Sequence, residues 1–518
     1  MVFMNRKDKI ITLLKQNWIF ALFFTGMVIY YLVNMFAIKP WYDELYTYYS
    51  FISRGPVYSA IHWPVPNNHV FYSVLSAFLD YLGNPYIGLR GISFLAACAN
   101  LILLYRFAGK FMNRYLAAGS TFLYAAVWQV NNLSIQGRGY TISITFYLIA
   151  LLCMEKICRE KASKWDYVIY ACSLTGGLYA LISSTFWVIP VCLTGGLVLL
   201  FLKKYKTLCK LILTSLAAAA MTFFLYTIIW LAIGANLMSK DPANVYYGVY
   251  QVTIILKTPF EALRTGMEYM LATPYIQGDA RSYIIAELFH YLTALFNLFY
   301  SGIGAVLTVF CGSVGVLAGI SAVRNRTKDY SKWFSGIYLA VTVMMVPAML
   351  IIQSVQPYYR VFTFLGVPVA LLIVWILQQV SDFMIKSVWF GKICCGVLFL
   401  VSLFYLTQEG YNYQYAARET EIAQIFMDDA KQMESIFYVD DYQKYVLKFY
   451  YDKEPIEVSM EDAQYVLLPK ELYDEEYEVP IWPTMYVHES IDFKYLHSEF
   501  TCVKESDTYE LYKRNDSK

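Results

Sequence analysis

The chain has 518 residues, of which 58% are hydrophobic and 15% are charged, against roughly 25% charged residues in an average soluble protein. Its mean hydropathy is +0.43. A soluble globule of this size could not bury so much apolar surface and keep a wettable exterior. These figures exclude a disordered chain, a disulfide scaffold and a nucleic-acid-binding domain, and they predict a polytopic membrane protein.

The net charge of +2 combines two segments of opposite charge. Residues 407–518 contain 25 acidic and 11 basic residues, a balance of −14, which leaves +16 on residues 1–406. Such a split indicates two physically different parts. The sequence therefore predicts a membrane-embedded body at 1–406 and a small water-soluble domain at 407–518.

Apolar stretches of about 20 residues are long enough to cross the hydrocarbon core of a bilayer. The sequence predicts about eleven spanning helices, and the run from Tyr283 to Val323 is long enough for an interfacial helix followed by a spanning one. The first span has no cleavage site after it, which favours a retained anchor. The predicted spans start near Trp18, Tyr86, Tyr115, Tyr140, Asp166, Phe186, Leu211, Ser301, Trp333, Val361 and Val388.

Basic residues alternate between the two sides of these spans, and 21 of the 30 in the body fall on one side. The positive-inside rule makes that side cytoplasmic. The prediction is a multi-pass plasma-membrane protein with a cytoplasmic N-terminus and an extracytoplasmic C-terminal domain.

The C-terminal segment alternates one amphipathic helix, Glu419 to Met433, with short apolar strands at Ile436 to Val439 and Tyr465 to Leu468. This pattern predicts a small α/β domain. Its tyrosines could stack on sugars, but packing in the core is the favoured interpretation. These tyrosines are Tyr438, Tyr442, Tyr445, Tyr450 and Tyr451.

The strongest local motif is Trp41-Tyr42-Asp43-Glu44, which places two adjacent carboxylates shortly after the first span. Carboxylates that lose hydration bind protons more readily, which suits a general base. The same pair would also suit the start of an interfacial helix from Leu45 to Ser53, where acids are stabilising. The motif is compatible with either role.

The same loop, residues 39–85, contains His62-Trp63-Pro64-Val65-Pro66-Asn67-Asn68-His69 before an amphipathic run from Val70 to Tyr81. Asn68 and His69 offer hydrogen-bonding groups that a sugar-binding site needs, beside aromatic rings for stacking. A structured loop on the outer surface would use the same residues, because a lone histidine is more often structural.

Three arginines lie in apolar stretches or at their edges. Arg90 is early in the second span, Arg138 lies in Gln136-Gly137-Arg138-Gly139-Tyr140, and Arg360 follows Gln356-Pro357-Tyr358-Tyr359. Charges at this depth are costly and are often retained for a partner. A phosphate ester suits arginine, since one guanidinium can bind two oxygens. Snorkelling towards lipid headgroups is the alternative.

In this order, the motifs resemble those of the GT-C superfamily of membrane glycosyltransferases. The branch most similar is glycosyltransferase family 39-like, with protein O-mannosyltransferases and the aminoarabinose transferase of lipid A. The resemblance covers residues 1–406. The usual His-Pro-Pro loop is replaced here by Asn67-Asn68-His69-Val70, which leaves the acceptor and the sugar open. The matching elements are Trp41–Glu44, Val70–Leu75, Arg90-Gly91-Ile92-Ser93, Arg138-Gly139-Tyr140, and Tyr359-Arg360 with Pro368.

The resemblance implies a GT-C-like body that moves a sugar from a polyprenyl-phosphate carrier to an acceptor on the outer face, with inversion. Asp43 would be the general base, and Glu44 would orient the acceptor or share its proton. The implied partners are the lipid-linked donor, a glycan, lipid or protein acceptor, and membrane lipids, without nucleic acid. The residues implied in substrate binding are His69, Asn68, Arg138, Arg360, Arg90 and Tyr140.

The resemblance assigns no cofactor but allows a divalent metal. Some relatives use such a metal near the acidic loop, and Asp43, Glu44 and His69 have side chains that can ligate one. The set is small and spread along a single loop, so it does not define a metal site.

Three other functions remain open from the sequence. A transporter or flippase for a lipid-linked substrate would explain the many spans, although such proteins have internal repeats and broken helices. An O-antigen-ligase-like transferase with a lipid diphosphate donor would rely on late outer arginines such as Arg264 and Arg281. A non-catalytic sensor or scaffold would bind cell-wall polymer through its tail.

Overall fold

The computed structural model describes residues 17–61, 68–237, 280–325, 329–353, 356–382, 388–409, 417–425, 435–438, 441–451, 456–470 and 491–515. Contacts divide the chain into two compact units. The first unit is Met1–Met35 with Arg54–Tyr411, and the second is Phe36–Ser53 with Asn412–Lys518. The short segment after the first span is therefore grouped with the C-terminal part of the chain.

Long apolar helices form most of the first unit. Nine helices in the described part of the chain are long and apolar enough to cross a membrane, which confirms the predicted polytopic helical body. Two of the nine, Ile182–Phe201 and Tyr359–Val380, include the 3₁₀ turn that precedes the α-helix. The α-helices are Trp18–Ala37, Pro56–Ile61, Val70–Asp80, Pro85–Ala108, Arg114–Ala126, Trp128–Ile135, Tyr140–Cys158, Lys164–Ala180, Thr185–Phe201, Tyr205–Leu237, Ala280–Asn297, Gly304–Asn325, Tyr330–Gln353, Gly366–Val380 and Val388–Glu409, with 3₁₀ turns at Ile52–Arg54, Ile182–Ser184 and Tyr359–Leu365.

Two predicted span starts, near Tyr115 and Asp166, fall on shorter helices. The helix Arg114–Ala126 is followed by Val127, whose extended backbone (φ −61°, ψ 115°) separates it from the next helix. Lys164–Ala180 has 17 residues. The nine long helices are the remaining members of the predicted set of about eleven.

The long apolar run from Tyr283 to Val323 forms two helices, as predicted. Ala280–Asn297 and Gly304–Asn325 are separated by a turn. Asn297 closes this turn, because its side-chain Oδ1 accepts a hydrogen bond from the Gly304 N–H at 2.8 Å.

The C-terminal part of the second unit is a small α/β domain, which confirms the prediction. Its described strands are β1 (Ser435–Tyr438), β2 (Ile456–Glu457), β3 (Tyr465–Pro469), β4 (Phe500–Glu505) and β5 (Tyr509–Arg514). They form a sheet in the order β2-β1-β3-β5-β4. β1 pairs in parallel with β2 and β3, while β5 pairs antiparallel with β3 and β4.

Alternate strand residues point to opposite faces of the sheet, and each face packs into its own apolar cluster. Ile436 and Leu467 belong to one apolar cluster, and Phe437 and Val466 belong to the other. The described helices of the second unit are Tyr42–Ser50, Ala417–Ile425, Asp441–Tyr451 and Phe493–Glu499. Residues 426–434, where the predicted helix from Glu419 was expected to continue, lie outside the described residues.

Candidate functional site

Two glycines bring the Arg138 segment against its neighbours in the first unit. A Cβ at Gly137 would lie 2.6 Å from Leu89 Cδ1 and 2.8 Å from the Leu89 carbonyl oxygen. A Cβ at Gly139 would lie 3.0 Å from His69 Cβ. Only glycine permits this approach without displacing a neighbour, so both positions fix where Arg138 lies.

His69 is buried, and both of its ring nitrogens face this segment. The Gly139 N–H donates a hydrogen bond to Nδ1 at 2.9 Å. A backbone N–H can only donate, so Nδ1 is the acceptor and the proton of the neutral ring is on Nε2. Nε2 lies 3.4 Å from Arg138 Nη2. Two donors therefore face each other, and together they match a single oxygen acceptor.

Two arginines, Arg138 and Arg360, bring positive charge close to this ring. Burial lowers the pKa of His69 well below its usual value, and the charges of Arg138 and Arg360 lower it further. His69 precedes the helix Val70–Asp80 and lies outside the nine long helices. The ring is therefore neutral near pH 7, and the two guanidinium groups make the site attractive to an anion.

Tyr140 and Arg360 extend the cluster. The Tyr140 ring meets the His69 ring edge-on with centroids 5.1 Å apart. Arg360 is half-buried on the 3₁₀ turn Tyr359–Leu365, with its guanidinium 5.1 Å from the centre of the Tyr358 ring. A small cavity beside Tyr140 is also lined by residues that follow Arg360 in the chain, Val361 among them.

Asn68 and Arg90 make contacts that hold the fold together. Asn68 donates from Nδ2 to the Ser59 carbonyl at 2.9 Å and accepts from the Ser73 hydroxyl at 2.8 Å. Arg90 is fully buried and donates from Nη1 to the Met35 carbonyl at 2.9 Å. Both residues thus position neighbouring elements, and their roles in substrate binding stay predictions.

Asp43 and Glu44 open the helix Tyr42–Ser50 of the second unit. Glu44 is fully buried and accepts a hydrogen bond from the Trp41 N–H at 3.2 Å, which satisfies a donor at the helix start. Asp43 is half-buried, and its carbonyl accepts from the Thr47 hydroxyl at 2.7 Å. The capping role considered from the sequence is therefore seen for Glu44, and Asp43 is the more accessible acid.

Some predicted features cannot be placed. Residues 62–67, which contain most of the Pro/Asn/His loop, lie outside the described residues, as do Arg264 and the side chain of Arg281. Among the residues that are described, no group of three or more His, Cys, Asp and Glu side chains is arranged to hold a metal ion.

Sequence reasoning missed a group of buried amides on the helix Trp128–Ile135, just before the Arg138 segment. Gln129 and Asn132 are 5% and 3% exposed. Their side-chain carbonyl oxygens have no protein hydrogen-bond partner within the described ranges. The signal was available, because amides are unusual in an apolar stretch, and buried acceptors of this kind require a partner.

Comparison with solved structures finds several similar chains. AglB, the oligosaccharyltransferase of Archaeoglobus fulgidus, in complex with an inhibitory peptide and a dolichol-phosphate, is similar over 89% of this chain and 70% of its own, with 11% identity and a TM-score of 0.45. ArnT from Cupriavidus metallidurans, bound to undecaprenyl phosphate, is similar over 95% of this chain and 97% of its own, with 12% identity and a TM-score of 0.44.

An Archaeoglobus fulgidus oligosaccharyltransferase in complex with Zn and sulfate is also similar, at 15% identity and a TM-score of 0.45. The match covers 83% of this chain and 62% of that protein. No protein-family model matches the sequence. The search of curated proteins also found no match.

At 11% and 12% identity, AglB and ArnT are distant from this chain. Their TM-scores of 0.45 and 0.44 lie below 0.5. The function of this chain therefore has to be argued from its own residues.

Proposed function

We propose that this protein is a GT-C-like glycosyltransferase, which moves a sugar from a polyprenyl-phosphate carrier to an acceptor hydroxyl on the outer face of the membrane. The observation that carries the proposal is the buried donor pair of His69 Nε2 and Arg138 Nη2, with Arg360 close enough to act electrostatically. Such donors stabilise the charge that develops on a phosphate as its bond to the sugar breaks.

Asp43 is the proposed general base. It takes the proton of the acceptor hydroxyl while the hydroxyl oxygen attacks the anomeric carbon of the sugar. The bond from that carbon to the phosphate oxygen breaks, and its electron pair leaves with the polyprenyl phosphate. A single displacement of this kind inverts the anomeric configuration. Glu44 supports Asp43 by holding the first turn of the helix through its bond to the Trp41 N–H.

The buried amides of Gln129 and Asn132 support a polar ligand in the body. Buried acceptors suit the hydroxyl groups of a sugar, and an aromatic ring suits its apolar face. A divalent cation is not assigned, because the described side chains do not form a set that fits one. No proposed step passes through a metal.

Binding of undecaprenyl phosphate to the purified protein tests the phosphate site. Replacing Arg138 by Gln removes a charged hydrogen-bond donor, so we expect affinity to fall roughly tenfold or more. Arg114→Gln is the matched control, since Arg114 is exposed at the start of another helix. Equal affinity in both variants would contradict the assignment.

The alternatives give different results. A flippase for a lipid-linked substrate would be little affected by Asp43→Asn, whereas the proposed enzyme would lose turnover and still bind the carrier. A transferase of the O-antigen-ligase type would release a polyprenyl diphosphate, whereas the reaction proposed here releases a monophosphate.

A further inference from the structure

The helix that carries Asp43 is too short to be stable by itself. Tyr42–Ser50 has 9 residues, whereas isolated helices shorter than about 12–15 residues are marginal in water. The cap from Glu44 satisfies only the first turn. The position of Asp43 therefore depends on the element against which this helix packs.

That element is the helix Asp441–Tyr451 of the C-terminal domain. The rings of Tyr49 and Tyr445 stack with centroids 5.7 Å apart and an interplanar angle of 6°. Tyr46 meets the same Tyr445 ring edge-on at 6.3 Å, and Tyr42 lies 5.9 Å from it. Three tyrosines of the acidic helix thus surround one ring, and aromatic pairs of this kind are favourable beyond the area they bury.

Apolar and cationic contacts also join the acidic helix to the C-terminal domain. Leu45 is fully buried and belongs to the apolar cluster of the C-terminal sheet, together with Ile436 and Leu511. The Lys448 ammonium lies 5.0 Å from the centre of the Tyr49 ring, which is within cation–π range. Leu45 directly follows the two acids, so its burial fixes their place on the domain.

We infer that the C-terminal domain positions the catalytic acid, with Tyr445 as a positioning residue that acts through the helix Tyr42–Ser50. The inference rests on the proposed role of Asp43 as the base. It assigns a role to the C-terminal domain, whose helix Asp441–Tyr451 holds the acid's helix in place.

Hydrogen exchange of the full-length protein tests the contact without needing a substrate. In Tyr445→Ala, we expect the amides of Tyr42–Ser50 to exchange roughly tenfold faster, because the stacked ring is lost. Tyr445→Phe keeps the ring and should behave like the wild type. Tyr495→Ala is the matched control, since Tyr495 packs on the other apolar cluster of the domain. Unchanged exchange in Tyr445→Ala would overturn the inference.

Two further measurements separate this inference from the proposed function. Binding of undecaprenyl phosphate should be unchanged in Tyr445→Ala, whereas cells that carry it should accumulate the same lipid-linked sugar as cells with Asp43→Asn. Accumulation in Asp43→Asn but not in Tyr445→Ala would overturn the positioning role. Faster exchange without accumulation in Asp43→Asn would instead overturn the role of Asp43 and, with it, the positioning of a catalytic acid.

Discussion

Gly139 donates its backbone N–H to Nδ1 of His69 across 2.9 Å. This bond places the proton of the neutral ring on Nε2, where it faces the Arg138 guanidinium. His69 is therefore a hydrogen-bond donor in the site and cannot use Nε2 as a base while the ring is in this form. The role of base is left to a carboxylate, and Asp43 is the proposed one.

Two substitutions of His69 separate its two nitrogens. In His69→Asn the side-chain oxygen can replace Nδ1 as the acceptor for Gly139, but the donor at Nε2 is lost. In His69→Gln the amide can replace the Nε2 donor, but the acceptor is lost. Since a hydrogen bond to a charged group contributes about 1.5–3 kcal/mol, we expect Asn to weaken undecaprenyl phosphate binding by tenfold or more and Gln to weaken it less.

Titration calorimetry in detergent measures these affinities, and the thermal unfolding midpoint of each variant provides the control. Equal affinity for undecaprenyl phosphate in His69→Asn and the wild type would show that Nε2 does not donate a hydrogen bond to the phosphate.

The lowered pKa of His69 predicts a loss of stability in acid. In the unfolded chain the ring titrates near its ordinary pKa of about 6.5, whereas burial and the two arginines keep the folded ring neutral to lower pH. Below about pH 6.5 the unfolded state therefore binds more protons, and stability falls by up to about 1.4 kcal/mol per pH unit until the folded ring titrates. Thermal midpoints between pH 8 and pH 5 should fall less steeply for His69→Asn. Parallel curves would contradict the prediction.

Gly137→Ala should displace the Arg138 segment. The new Cβ would lie 2.8 Å from the Leu89 carbonyl oxygen, and a backbone atom cannot rotate away. We expect a destabilisation of about 1–3 kcal/mol and weaker binding of undecaprenyl phosphate. Gly196→Ala is the matched control, because nothing lies within 4 Å of its added Cβ. Chemical denaturation of both variants provides the comparison, and an unaffected Gly137→Ala protein would argue against the close packing.

The proposed orientation can be tested with a native thiol. Cys502 is exposed on β4 of the C-terminal domain. If that domain is extracytoplasmic, a membrane-impermeant maleimide should label Cys502 in intact cells, and Cys502→Ser should remove the labelled fragment. Labelling that appears only after the cells are lysed would place the domain on the cytoplasmic side.

Local hydrophobic pattern accounts for most of what the sequence predicted correctly. Spans such as Tyr140–Cys158 and strands such as Tyr465–Pro469 are set by residues close together in the chain. His69 and Arg138 were each selected as candidates, but they are 69 positions apart. Their contact depends on the packing of several helices, which periodicity does not report.

The contact between Tyr49 and Tyr445 was beyond sequence reasoning for a different reason. The chain contains 48 tyrosines, so no single tyrosine in the tail stood out. The favoured interpretation was core packing, and Tyr445, Tyr450 and Tyr451 do pack against the apolar cluster of the domain. What the pattern could not show is that this cluster also includes Leu45, from the helix Tyr42–Ser50 near the other end of the chain.

The most direct test of the central claim is mass spectrometry of lipid-linked sugars in cells whose only copy of the protein carries Asp43→Asn. We expect a polyprenyl-monophosphate sugar to accumulate while one surface glycan modification disappears. Glu44→Gln should accumulate less, because glutamine can still accept the Trp41 N–H. A lipid pool identical to that of wild-type cells, or accumulation of a diphosphate-linked sugar instead, would contradict the proposed role of Asp43.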